Sequence, residues 1–137
     1  MARNESRRRD SLDTVEVRVL PRASLISLIG EHDISTRNLL FDAVARATAQ
    51  PRVVVDLAEC SFLDSSILGV LFSAHVQCER IAIVLPASDN IVHRTIGMSG
   101  VRDVIPVFET LEEAFRSVAA PGRHASPRSA RLTGRAS

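Results

Sequence analysis

Two stretches of this chain tolerate no water on either side. Val53-Val54-Val55 with Leu57, and residues 81–85, are unbroken apolar runs, the latter stopped by Pro86. Short runs of this kind are central strands of a sheet covered on both faces. Such strands are parallel, and each connection between them must cross back over the sheet.

The sequence around the two runs supplies those crossings. Thr14-Val15-Glu16-Val17-Arg18-Val19-Leu20 alternates with period two and predicts a half-exposed strand. Pro21-Arg22-Ala23 is a turn, residues 25–29 make a second strand, and Gly30 closes the hairpin. Ser35 or Thr36 is a candidate cap for a helix with Leu39, Leu40, Ala43, Val44 and Ala47 on one face. A second helical period, beginning near Asp64-Ser65-Ser66, runs through Ile67, Val70, Leu71, Ala74 and Cys78. Ser88 or Asp89 is expected to start a short helix with Ile91, Val92, Thr95 and Ile96 inward, ended by Gly97 and Gly100. Residues 104–108, broken by Pro106, predict an edge strand. Thr110 and Glu113 form a capping box opening a last helix through Leu111, Ala114, Phe115 and Val118.

The predicted order is β-β-α-β-α-β-α-β-α, an α/β fold with a mixed, mostly parallel sheet of about five short strands and four helices. Partners of such sheets meet the loops at the carboxyl ends of the strands. Those loops are residues 30–35, 58–66 and 86–90.

Charge divides the 137 residues into three parts. All 17 basic residues are Arg, and the formal net charge is +1. Residues 1–12 and 121–137 are Arg-rich, polar and without apolar period, and are expected to be disordered tails with a joint charge of +6. Residues 13–120 carry nine Arg against fourteen acids, a net −5, and are expected to be the single folded domain. An acidic body argues against nucleic acid as a partner and suits docking on a basic protein surface. The longest apolar runs are far short of the roughly 18 residues needed to cross a bilayer, and Arg7-Arg8-Arg9 is followed by no apolar segment, so neither membrane insertion nor secretion is expected. Cys60 and Cys78 form no disulfide framework, which fits a cytoplasmic protein.

Enzyme signatures are lacking. There is no Gly-x-Ser-x-Gly, and Gly97-Met98-Ser99-Gly100 has neither the Lys nor the preceding strand of a phosphate loop. His32, His75, His93 and His124 are scattered, and no cofactor or metal site is expected. Glu31, Asp33 and Asp64 could share one end of the sheet, but acids near loops are ordinarily solvated.

The richest segment is residues 61–71, with two hydroxyls, Ser65 and Ser66, at the start of a helix after a central strand. One serine can cap the helix, which is worth about 1 kcal/mol. The other is free, at a place where the helix dipole and unpaired N–H groups accept a phosphate. Capping and phosphate acceptance are compatible, and the residues by themselves do not choose.

Residues 15–118 resemble a STAS domain of the anti-sigma factor antagonist type. Leu28-Ile29-Gly30-Glu31-His32-Asp33, with Thr36 and Leu40, is similar to the family's Gly-Glu-Leu-Asp region. Val54-Val55-Asp56-Leu57 followed by Phe62-Leu63-Asp64-Ser65-Ser66 is similar to its phosphorylation segment. Residues 96–101, Val107-Phe108 and residues 111–115 are similar to its C-terminal pattern. The resemblance implies that Ser65 is the phosphoacceptor and that the chain catalyses nothing. It implies partner switching. The unphosphorylated domain binds an anti-sigma factor that is also a GHKL-type serine kinase and so frees a sigma factor; phosphorylation by that kinase ejects it, and a metal-dependent serine phosphatase restores it. Asp64 would hold the loop, Ser66 would cap the helix or act as a secondary acceptor, and Glu31, Asp33 and Ser88 would complete the docking face. Two positions depart from the family. Ile67 stands where Gly is usual and is expected to crowd the kinase's approach; it favours the rival reading, a constitutive, non-phosphorylated STAS scaffold or transporter-associated module. His32 stands where Leu is usual, and is expected either to reach the surface beside Asp33 or to replace a partly buried side chain. A hydrolase with Ser65 as nucleophile would need a histidine base that the sequence does not place.

Overall fold

The Val53 run becomes the middle strand of a six-stranded mixed sheet in the computed structural model, which describes residues 13–120. The two expected Arg-rich tails and His124 lie outside the described residues. The strands are β1 (Thr14–Val19), β2 (Ser24–His32), β3 (Arg52–Asp56), β4 (Cys60–Leu63), β5 (Arg80–Val84) and β6 (Val107–Phe108). The helices are α1 (Arg37–Ala47), α2 (Ser65–Gln77), α3 (Ile91–Ser99), α4 (Val101–Val104) and α5 (Leu111–Ala119), with a single 3-10 turn at Ile34–Thr36. The sheet order is β1-β2-β3-β5-β6, with β4 paired to β2. β1 and β2 form the antiparallel hairpin; every other pairing is parallel.

The period-two geometry of a strand explains why the runs at β3 and β5 carry no polar residue. Val53, Val55, Ile81 and Ile83 face a large core shared with α1, α2 and α3, including Leu40, Val44, Leu71 and Ile96. Val54, Ala82 and Val84 face the other way, into a smaller core closed by Ala114 and Val118 of α5. Arg80, at the start of β5, donates from Nη1 to the carbonyls of Ser117 and Ala120, and so caps the end of α5 with a cation.

The strand–helix alternation expected from the sequence is present, with two additions. The segment 58–66, expected to be a loop, contains β4. β2 is nine residues long; its first half pairs with β3, and Gly30, Glu31 and His32 pair with β4, with a register shift between Gly30 and Glu31. Four residues with burial only at Cys60 and Leu63 carry no readable period, so this pairing is a long-range event. The second addition is α4, one turn after Gly100. That glycine adopts φ +87°, a left-handed conformation that ends α3.

Candidate functional site

Three helical starts lie at the carboxyl edge of the sheet, and each is built the same way. Asp33 Oδ1 accepts the backbone N–H of Ser35 at 2.9 Å and its hydroxyl at 2.6 Å. Asp64 Oδ1 accepts the backbone N–H of Ser66 at 3.0 Å, its hydroxyl at 2.6 Å and the N–H of Ile67 at 3.4 Å. Asn90 Oδ1 accepts the N–H groups of Val92 at 2.8 Å and His93 at 3.4 Å. In each case a short polar side chain satisfies backbone donors that the helix leaves unpaired. The capping residue ties down the residue two positions on, and the residue between them points outward. Those displayed residues are Ile34, Ser65 and Ile91, all exposed.

This arrangement corrects the expected caps. Thr36 precedes α1 but makes no side-chain cap bond, and Asp33 instead caps the 3-10 turn that leads into it; Asp64 rather than Ser65 or Ser66 caps α2, and Asn90 rather than Ser88 or Asp89 caps α3. The signal was present as Asx residues preceding each helix, but Ser is as good a cap by preference and sits one or two positions away. Thr110 does cap α5, accepting the N–H of Glu113 at 3.1 Å.

The two serines therefore differ. Ser66 is half-buried and its hydroxyl is spent on Asp64. Ser65 takes no part in that network and its side chain is exposed. Substituting Asp64→Ala removes the cap and frees the Ser66 hydroxyl. It is expected to lower stability by about 1–2 kcal/mol in urea denaturation, with Asp64→Asn retaining most of it.

Ile67 is fully buried in the large core, so it does not crowd the helix start on the outer side. The first turn of α2 places residue 65 outward and residue 67 inward. His32 is likewise fully buried and does not reach the surface. Its Nε2 lies 2.9 Å from the Ile29 carbonyl, which only accepts, so Nε2 carries the proton. Its Nδ1 lies 3.0 Å from the Thr36 hydroxyl. The imidazole thus ties the end of β2 to the 3-10 turn.

Glu31 is exposed, and its N–H is held by Asp13 Oδ1 at 2.9 Å. Asp33 is half-exposed, and the Ser35 hydroxyl and then its backbone N–H hold the carboxyl below the usual carboxylate range. Ser88 is exposed in the β5–α3 connection. Among the described residues, no three acids, histidines or cysteines converge to hold a metal, so Glu31, Asp33 and Asp64 do not form one site. Cys60 and Cys78 are no nucleophiles at neutral pH: burial pushes each thiol up to about 11. Both are expected to react with a thiol-specific disulfide reagent at pH 8 only after denaturation.

Sequence reasoning missed a groove. Ser65, Leu68, Gly69 and Phe72 of α2 face Ile91, Arg94, Thr95 and Met98 of α3 across an open cleft of about 620 Å³. Ile91 was expected to point inward; only Val92 and Ile96 do, and Ile91 and Met98 stand exposed on the cleft wall. The residues fall at i, i+3, i+4 and i+7 on both helices, which is a face. What the spacing did not reveal is that this face of α3 meets no covering element. The groove is apolar apart from Ser65 at its mouth, Arg94, Thr95 and Ser99.

Among the described residues, no helix is long and apolar enough to cross a membrane. The STAS domain family model matches residues 14–114. The chain is similar to the crystal structure of an anti-sigma factor antagonist from Mycobacterium paratuberculosis, with 26% identity and a TM-score of 0.69, over 77% of this chain and 92% of that one. It has the same fold as an anti-sigma-factor antagonist (STAS) domain protein from Planctomyces limnophilus, with 20% identity and a TM-score of 0.66, over 77% of this chain and 97% of that one. It also has the fold of the Bacillus cell fate determinant SpoIIAA in its phosphorylated form, with 20% identity and a TM-score of 0.57, over 77% of this chain and 99% of that one. No significant match exists among curated proteins.

Proposed function

This chain belongs to the STAS domain family, and we propose that it is an anti-sigma factor antagonist switched by phosphorylation of Ser65. The unphosphorylated chain binds an anti-sigma factor that is also a GHKL-type serine kinase, and that binding frees a sigma factor. The chain is substrate and ligand and has no catalytic role of its own; it works in the cytoplasm.

The observation that carries this reading is the exposed Ser65 hydroxyl, the one hydroxyl of the pair not engaged by Asp64. Its oxygen attacks the γ-phosphorus of the kinase's Mg-ATP. The Oγ–P bond forms, the bond to the ADP oxygen breaks, and the hydroxyl proton passes to a base of the kinase. The product carries about −1.5 to −2 charges at the start of a helix, where the dipole tolerates them. The fold is kept, but the docking face gains a dianion beside Asp64. Glu31, Asp33, Asp64, Ser66 and Ser88 frame that face on neighbouring turns. A metal-dependent phosphatase reverses the modification.

The rival reading, a constitutive scaffold or transporter-associated module, drew on Ile67. With that side chain inside the core, the departure is a packing choice and no longer favours it. Incubation with the cognate kinase and Mg-ATP is expected to add one phosphoryl group, mapped to Ser65 by peptide mass spectrometry. An unmodified chain beside a kinase shown to be active overturns the proposal.

A further inference from the structure

The groove beside Ser65 contains one cation, Arg94, and its position bears on what a phosphate at residue 65 would do. α2 and α3 are both crossover helices leaving the carboxyl edge of a parallel sheet, so they run in the same direction. Ser65 and Ile91 are the first residues of their helices, and both line the groove. Arg94 is one turn further along α3, on the wall facing Ser65. Helical side chains lean toward the N-terminus of their helix, so the Arg94 stem leans back toward the mouth of the groove where Ser65 stands. Gly69 adds no side chain to the groove wall, and a Cβ added there would meet nothing within 4 Å. Arg94 is exposed and belongs to neither ion pair found among the described residues, Arg52–Glu79 and Arg116–Glu112.

We infer that Arg94 is the intramolecular counter-ion of phosphorylated Ser65, drawn across the mouth of the α2–α3 groove. The inference rests on the phosphoacceptor assignment above and deepens it. A guanidinium is matched to phosphate by its planar fork of donors, and the pairing needs only a rotamer change of one exposed side chain. The consequence is that the phosphate does more than repel. It pulls an arginine over the apolar groove and withdraws that surface from a partner.

The test uses the full chain with phosphoserine placed at position 65 during synthesis by genetic-code expansion, so no kinase is needed. The second ionisation of the phosphate, near pH 6 for a free phosphoserine, is followed by phosphorus NMR. Asp64, Asp33 and Glu31 on the surrounding turns raise it equally in every variant. A facing Arg lowers it. The wild type is expected to titrate about half a pH unit below the Arg94→Gln variant, a difference reduced by high salt. Arg94→Lys is expected to fall between them, and Arg102→Gln, at an exposed position of α4 outside the groove lining, to match the wild type. Equal titration of wild type and Arg94→Gln overturns the inference. That result leaves the phosphoacceptor assignment standing, whereas a kinase that fails to modify Ser65 removes the assignment without touching this titration.

Discussion

Ser65→Asp is expected to lose affinity for the cognate anti-sigma kinase by about 30-fold or more, while Ser65→Ala keeps it within about twofold. The carboxylate carries a full negative charge into the surface that a docked partner covers. Ser65 is displayed at the mouth of the groove, where a docked partner would cover it. Burying a charge against a surface selected for a neutral hydroxyl costs about 2–5 kcal/mol, and about 1.4 kcal/mol is a factor of ten. Alanine removes the oxygen without adding charge. It also spares the cap, because Asp64 uses Ser66 and Ile67 rather than Ser65. Isothermal titration calorimetry of the two variants reads the contrast. Equal affinity for both would remove residue 65 from the interface.

The second large effect is on the fold. Leu71 lies on α2, fully buried in the core that joins α1 and α2 to β3 and β5. Leu71→Ala is expected to cost about 2–5 kcal/mol, the sum of lost transfer energy and the cavity left behind. That is a large part of the total stability of a domain, and the melting temperature is expected to fall by more than about 10 °C. Val76, on the same helix but 82% exposed, is the control: Val76→Ala is expected to stay within about 0.5 kcal/mol. Comparable losses at both positions would mean that α2 is not packed as described.

Most of the architecture was legible because periodicity is a local property. The runs at Val53 and Ile81 could only be covered strands, and the stripes at Leu40 and Leu71 could only be buried helix faces. β4 was not legible, because its partner is the far end of β2 and its own four residues show no alternation. Ile67 and His32 were legible as departures from a family pattern but not as to where their side chains go. In both cases direction is decided by the local backbone: the first turn of α2 aims residue 67 inward, and the end of β2 aims residue 32 under the 3-10 turn.

The alternation of strands and helices apart from β4 and α4, and the two-sided burial of the middle strands, follow from residue order alone, since each depends on neighbours a few positions apart; the acidic charge of the body follows from composition. The tertiary structure alone separated the two adjacent hydroxyls, because successive helical residues point about 100° apart and the Asp64 carboxylate reaches one of them. It alone also brought Arg94 to the groove at whose mouth the free hydroxyl stands, since that meeting depends on two crossover helices descending side by side from one edge of the sheet.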